Sequence, residues 1–344
     1  MLQEPEPTTA QLVSRAMSWP LPVGREAFRI LNRTQLSDAQ ELLRLKSGLL
    51  ARKARIDSKY FYDATGCALF NAICAQPEYY LTRTETKIFA DHRAEIVSYL
   101  PTQLQWIDLG CGDGLKSKPW IGAARAHRYV GVDIAQEALE KTLRHMAAQF
   151  PGIECAGVVC DFSQLLSIED VLDERPESPA VLFYPGSSLG NFAAGHALAL
   201  LNSFRENLGS RGCLLIGVDL VKDVKLLHAA YDDAQGVTAA FNRNVLRVVN
   251  RLLDANFDTR KFQHHAHFDP RAARIEMRLR ARVDHCVRIG SEKREFRAGE
   301  SILTEYSHKY TVEGFGRLLS SAGFARQKLW TDEAGWFGVF LASP

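Results

Sequence analysis

From Gln105 onward, short runs of apolar and β-branched residues alternate with stretches in which apolar residues recur every three or four positions. Trp106–Leu109 reads as a strand, 117–126 as a helix, Arg128–Asp133 as the next strand and 135–149 as an amphipathic helix. Strands follow at 154–159, Ala180–Tyr184 and Cys213–Asp219, with a helix over 195–208 between the last two. This alternation predicts an α/β fold, a Rossmann-like, mostly parallel sheet with helices on both faces. Gln327–Thr331 and Gly335–Leu341 close it as an antiparallel hairpin. More than a hundred residues separate Asp219 from that hairpin, whereas a crossover needs little more than a dozen. The interval therefore holds an insertion. Residues 222–309 show helical periodicity over Lys222–Val249 and strand alternation over Arg274–Ala281 and Glu295–Tyr306. Together with 20–82 they are assigned to a second, α+β substrate-binding domain. Residues 83–221 and 310–344 form the nucleotide-binding domain, and 1–19 a flexible tail. Ligands of open α/β sheets bind outside the carboxyl ends of the strands, so the second domain is expected to enclose an acceptor there.

Composition narrows the function classes. Of 344 residues, 46% are hydrophobic, and 42 basic residues against 40 acidic ones give a net charge of +2. No basic stripe offers a footprint for nucleic acid. No apolar run reaches the roughly eighteen residues a membrane span requires, and the acidic, proline-rich start does not read as a signal peptide. The seven cysteines are scattered without C-x-x-C spacing, which reads as reduced thiols in a cytoplasmic protein. A monomer is expected. His264, His265 and His267 precede Asp269-Pro270 and read as a polar turn; no metal is assigned.

The chemistry begins at Asp108-Leu-Gly-Cys-Gly-Asp-Gly114. A strand running into Gly110 and Gly112 lets backbone N–H groups approach a nucleotide-like ligand closely. A dinucleotide site needs a third glycine spaced G-x-G-x-x-G, and Leu115 stands there. Acidic Asp108 beside the loop disfavours a pyrophosphate and suits a ligand carrying an ammonium and a sulfonium, which describes S-adenosylmethionine. Asp133 ends the next strand, 133 − 112 = 21 residues past the middle glycine, the spacing of a ribose-binding acid. Asp161 and Phe162 follow the third strand and offer a carboxylate and a ring to adenine.

Other segments carry a resemblance. Phe61-Tyr-Asp63, Pro77-Glu-Tyr-Tyr80 with Thr82-Arg-Thr-Glu85, Gly186-Ser-Ser-Leu-Gly-Asn191, Asp219-Leu-Val-Lys-Asp223, Ala230-Tyr-Asp-Asp233, Gly236–Asn242, Ile275–Arg280 and Thr304-Glu-Tyr-Ser307 resemble the histidine Nα-methyltransferases of ergothioneine biosynthesis. The likeness runs from about residue 55 to the C-terminus. It implies S-adenosylmethionine-dependent trimethylation of the α-amine of free histidine to hercynine. In such a site Asn191 and Tyr231 hold the carboxylate and amine, Tyr62 and Tyr79 line the pocket, Phe70 and Met277 pack against the substrate, and Glu305 with Ser307 receives the imidazole. Asn191, Tyr231 and Tyr62 are its candidate catalytic groups. Gly110 and Lys116 match the family loop, Asp133 the ribose contact, and Asp161 with Phe162 the adenine contact. Gly110-Cys-Gly-Asp-Gly114 replaces the usual Gly-Ser-Gly loop, and Leu81 stands where the family places proline.

Methyl transfer needs no protein nucleophile, only alignment of an amine that has lost its proton. A dry pocket favours that loss, and aromatic faces tolerate a quaternary ammonium. A carboxylate such as Glu305 accepts a ring N–H, and a serine donates or accepts. Two alternatives share these residues: methylation of another aromatic amino acid such as tryptophan, whose indole N–H also suits Glu305, and a sensor that binds without turnover. A nucleic-acid amino-methyltransferase would carry an Asn/Asp-Pro-Pro-aromatic motif where this chain has Tyr184-Pro-Gly-Ser-Ser188.

Overall fold

The computed structural model describes residues 28–34, 37–162, 166, 168, 170–172 and 178–344; the tail expected over 1–19 lies outside them. In chain order the strands are Phe28–Asn32 (β1), Gln105–Leu109 (β2), Arg128–Asp133 (β3), Glu154–Val159 (β4), Ala180–Tyr184 (β5), Cys213–Asp219 (β6), Phe262–Asp269 (β7), Arg274–Ala281 (β8), His285–Ile289 (β9), Glu292–Phe296 (β10), Ser301–His308 (β11), Arg326–Thr331 (β12) and Phe337–Ser343 (β13). Eight of them form one sheet in the order β1-β4-β3-β2-β5-β6-β13-β12. Strands β1 to β6 run parallel, and the β12–β13 hairpin adds β13 antiparallel to β6. From β2 the chain steps through β3 to β4, then resumes on the other side of β2 with β5 and β6. The order reverses beside β2, which opens a crevice outside the carboxyl ends of β2 and β5.

Both sheet faces are covered. On one, Trp106 stacks on Trp120 with centroids 5.7 Å apart, and Phe89 of the helix Tyr80–Tyr99 meets Trp120 edge-on. On the other, Tyr184, Phe204, Phe315 and Phe340 belong to a second buried cluster. Strands buried along their whole length, such as β2 and β6, account for the unbroken apolar runs in the sequence.

Three details differ from the sequence reading. Residues 28–32, assigned to the substrate-binding domain, pair along their length with β4 and supply an edge strand of the main sheet; five residues are too few for a period, and their partner lies far downstream. The helix expected over Lys222–Val249 is two, Val224–Tyr231 and Val237–Leu253. Between them Asp233 accepts from the N–H groups of Val237 and Thr238 at 2.9 and 2.7 Å, starting the second helix. The strand expected over Glu295–Tyr306 divides into β10 and β11.

The inserted segment folds as an antiparallel sheet in the order β11-β8-β7, with a separate β9–β10 hairpin. The helix Val237–Leu253 packs on this sheet and on the helix Ala64–Cys74. His264, His265 and His267 lie on β7 rather than in a turn. Their burial alternates, with His264 inward and the other two exposed, so the three rings do not converge. Strand β11 rests on the 3₁₀ turn Ser188–Asn191 that follows β5. The approach is close enough that a Cβ on Gly190 would stand 2.8 Å from the His308 carbonyl oxygen. Leu303 of β11 also exchanges backbone hydrogen bonds with Ala54 and Ile56, so the insertion and the N-terminal segment meet over the carboxyl edge of the main sheet.

Candidate active site

At the end of β2 the chain turns through Gly110, Gly112 and Gly114 with φ of 69, 51 and 70°, the left-handed region that side chains disfavour. An added Cβ on Gly112 would meet nothing within 4 Å, so the outer face of the loop stands open to the cleft. Asp133, at the end of β3, accepts from Gly112 N and Ala135 N, both at 3.0 Å. Each carboxylate oxygen keeps a lone pair for a further donor. Asp108 is 2% exposed and takes the Tyr129 hydroxyl at 3.0 Å. Burial pushes its carboxyl up to about 6 against hydrogen bonds from Ser117 and Tyr129 that pull it down. Asp161 is ion-paired to Lys59 at 2.9 Å, and Lys59 also holds Glu41 at 2.6 Å. Phe162 meets Tyr184 edge-on.

Asp108, Gly110, Gly112, Lys116, Asp133, Asp161 and Phe162 all line one cleft. A carboxylate at each of three successive strand ends, around a loop open to close approach, fits a nucleoside that carries positive charge.

The cleft continues into a smaller chamber lined by Tyr62, Phe70, Tyr79, Asn191, Tyr231, Met277, Glu305 and Ser307. Its walls are largely aromatic. Tyr62 meets Phe70 and Phe241 edge-on at 5.8 and 6.0 Å, Phe70 meets Tyr79 at 6.2 Å, and Tyr79 meets Tyr231 at 6.3 Å. Glu305 pairs with Met277 across β11 and β8, just past an irregularity in register between Leu303 and Glu305. Thr304, at that irregularity, is buried and donates its hydroxyl to the Met277 carbonyl at 3.0 Å. Such bulges re-aim side chains. Here Glu305 and Ser307 face the chamber, not solvent.

Burial pushes the Glu305 carboxyl up to about 7, with Lys309 pulling the other way. Among the described residues none hydrogen-bonds to the side chain of Glu305 or of Asn191. Asn191 ends the 3₁₀ turn Ser188–Asn191 that follows β5.

The segment 77–85 builds the roof of this site. Arg83 donates to the carbonyls of Gln76, Pro77 and Tyr79 at 2.7, 2.6 and 3.1 Å, fixing the turn that presents Tyr79. Glu85, 1% exposed, takes Lys116 Nζ and Gly186 N, each at 2.6 Å. One buried carboxylate thus ties the glycine-loop side of the cleft to the loop that leads to Asn191.

Beneath the chamber lies a buried ionic cluster. Lys309 Nζ donates to Asp219 Oδ2 at 2.7 Å, Tyr231 Oη at 2.9 Å and Ser307 Oγ at 2.8 Å. Tyr231 and Ser307 share a hydrogen bond of 2.7 Å. Asp219 also takes the Tyr80 hydroxyl, 3.0 Å from Oδ1 and 2.8 Å from Oδ2, and Lys222 on Oδ1. Desolvation pushes Lys222 down to about 8, and it raises the Tyr231 phenol above its ordinary value. Tyr231 is therefore a hydrogen-bonding phenol at neutral pH and not a base. His264 Nε2 lies 2.8 Å from the Tyr231 carbonyl and its Nδ1 2.8 Å from Asn242 Nδ2, which together set the Nε2–H tautomer.

Glu85, Asp219, Phe241 and Lys309 are the site residues that sequence reasoning did not assign. Lys309 had a signal, because it extends the alternation of Glu305 and Ser307 by two residues.

Comparison with known proteins agrees with this geometry. A family model described as a histidine-specific, S-adenosylmethionine-dependent methyltransferase matches residues 40–344. Histidine N-alpha-methyltransferase of Mycolicibacterium smegmatis is 38% identical over 321 residues, covering 91% of this chain and 98% of that protein. Its Mycobacterium tuberculosis namesake is 39% identical over 304 residues, covering 86% and 92%. Ergothioneine biosynthesis protein 1 of Neurospora crassa is 28% identical over 323 residues, 90% of this chain and 35% of that protein.

Proposed function

The chain belongs to the family of histidine-specific, S-adenosylmethionine-dependent methyltransferases, and we propose that it methylates the α-amine of free L-histidine three times, giving hercynine for ergothioneine biosynthesis. The observation that carries this reading is Glu305, a carboxyl with no hydrogen-bond partner among the described residues, in an aromatic chamber that opens onto the glycine-loop cleft. An imidazole N–H is the donor such a group lacks.

When bound, S-adenosylmethionine supplies a methyl carbon already activated for in-line displacement. Asp133 would hold its ribose, Asp161 and Phe162 its adenine, and the loop of Asp108, Gly110 and Gly112 its amino-acid end, with Lys116 bracing that loop from Glu85. The chain's own task is alignment. Asn191 offers an amide to the carboxylate and amine of the acceptor, and Tyr231 a hydroxyl. Phe70 and Tyr79 shield the acceptor from water, which favours the neutral amine over the ammonium, and Tyr62, 41% exposed, stands at the open side of the chamber. Their ring faces also accommodate the growing cation through successive transfers. Residues 37–82 and 222–309 form the acceptor-binding part. We assign the enzyme to the cytoplasm as a monomer, the compartment being supported by seven free thiols.

Incubation with S-adenosylmethionine and L-histidine, followed by mass spectrometry, tests the reading. A trimethylated product carrying all its methyl groups on the α-nitrogen is expected. Methylation of the ring, or none, would overturn it.

A further inference from the structure

The Lys309 ammonium is buried, 3% exposed, and its three N–H donors are used on Asp219, Tyr231 and Ser307. Two hydroxyls together hold two donors and up to four lone pairs. Lys309 fills one lone pair on each oxygen, and the Tyr231–Ser307 bond consumes one O–H and one further lone pair. Whichever hydroxyl donates in that bond, one O–H and one lone pair remain, so the charge behind the corner decides which of them an incoming ring meets. Behind the corner lie two ammonium groups, Lys309 and Lys222, against one carboxylate, Asp219. This corner can donate to a ligand, and the positive charge behind it opposes an incoming cation.

Resting on the histidine reading above, we propose that Lys309 is the positioning residue that selects the protonation state of the acceptor ring. It holds the pair so that Tyr231 donates to Ser307 and the Ser307 O–H is the free donor; the chamber then admits neutral imidazole, with its N–H on Glu305 and its bare nitrogen on Ser307, while the spare Tyr231 lone pair serves the amine end. An imidazolium would bring a second N–H and its own charge to a place already backed by the Lys309 ammonium. The same polarity disfavours a ring with no acceptor nitrogen, such as phenyl or indole. The ionisable groups around this position are Glu305 on β11, Lys309 just after it, Tyr231 on the helix Val224–Tyr231, Asp219 and Lys222 at and after the end of β6, Tyr79 and Tyr80 where the helix Tyr80–Tyr99 begins, and Tyr62.

The test is calorimetry of L-histidine binding to the full chain saturated with S-adenosylhomocysteine, from pH 6 to 8.5, for the native protein, Lys309→Met, Ser307→Ala and the double variant. Native affinity is expected to rise with pH as the ring, ordinarily near 6.5, loses its proton. Lys309→Met should weaken histidine binding about tenfold or more at pH 8, flatten the rise with pH, and leave S-adenosylhomocysteine affinity within about twofold. In the Ser307→Ala background the same substitution should cost less, because its effect runs through that hydroxyl.

An equal loss in both backgrounds with an unchanged pH slope would reduce Lys309 to a structural role and overturn the proposal. So would unchanged histidine affinity in Lys309→Met. Should Lys309→Met fail to bind S-adenosylhomocysteine, the native protein and Glu305→Gln decide: affinity that is flat or falls from pH 6 to 8 in the native protein, or a rise that vanishes in Glu305→Gln, overturns the proposal, and a rise kept in Glu305→Gln supports it. No histidine binding by the native protein would remove the acceptor reading itself, and this inference with it.

Discussion

Replacing Glu305 with glutamine should make the ligand-free protein more stable at pH 8 while it ruins histidine turnover. The side chain is isosteric, so packing is preserved and only ionisation is lost. In the folded protein burial moves this carboxyl from 4.5 to about 7. At about 1.36 kcal/mol for each unit, the folded state carries a penalty of roughly 3 kcal/mol once the group is ionised. Because the folded value is the higher one, the native state holds this proton more tightly than the unfolded chain does. Its stabilising contribution is complete below pH 4.5 and is lost as pH rises through 7. Glutamine cannot ionise, and the other titrating groups are common to both proteins. The advantage of Glu305→Gln should therefore be small at pH 5 and exceed that value by about 2 kcal/mol at pH 8. Urea or thermal unfolding at both pH values without ligand measures it, the melting temperature at pH 8 rising by a few degrees. An equal effect at the two pH values, or no stabilisation at pH 8, would mean that the carboxyl is well solvated and that its pairing with imidazole is not what the chamber is built for.

Other consequences can be checked with single variants. Asp133→Ala should weaken S-adenosylhomocysteine binding by about 1–3 kcal/mol, the cost of unpaired ribose hydroxyls in a closed site; an unchanged dissociation constant by calorimetry removes Asp133 from the cofactor. Asn191→Ala and Tyr231→Phe should each lower kcat/KM for histidine by tenfold or more, on the order of 1.4 kcal/mol, with cofactor affinity nearly intact; full activity in both contradicts their role. Glu85→Ala leaves Gly186 N and Lys116 without their shared acceptor, and should cost about 1–3 kcal/mol in urea unfolding while weakening both ligands. A loss of stability with unchanged ligand affinities would show that the strut is structural alone.

The strands that shape the cofactor cleft could be read from the sequence because they are buried on both faces. Arg128–Asp133, Ala180–Tyr184 and Cys213–Asp219 stand at the expected residues. Edge strand β1 escaped, since its partner lies far along the chain. The glycine loop and its acids were legible as strand-end signals. Glu305 and Ser307 were legible only through the resemblance, since two polar residues at i, i+2 ordinarily face water, and it took the register change before Glu305 to show otherwise. The contacts of the ionic floor were not legible, although Lys309 continues the alternation of Glu305 and Ser307. Lys309 and Tyr231 are 78 residues apart and Glu85 and Gly186 are 101 apart, so nothing local records their contacts. Phe241 reads as an ordinary apolar position of the amphipathic helix Val237–Leu253, and only tertiary packing brings it to the chamber wall.

The most direct test is a competition among acceptors. An equimolar mixture of the free protein amino acids plus histamine, supplied with isotope-labelled S-adenosylmethionine and the purified enzyme, can be resolved by mass spectrometry after limited turnover. Label should appear on histidine alone, first as mono- and dimethyl and finally as trimethyl product on the α-nitrogen, with histamine left untouched for want of a carboxylate. Label on tryptophan or another aromatic amino acid at a rate matching histidine would contradict the claim that a desolvated Glu305 and a one-donor hydroxyl corner choose the imidazole.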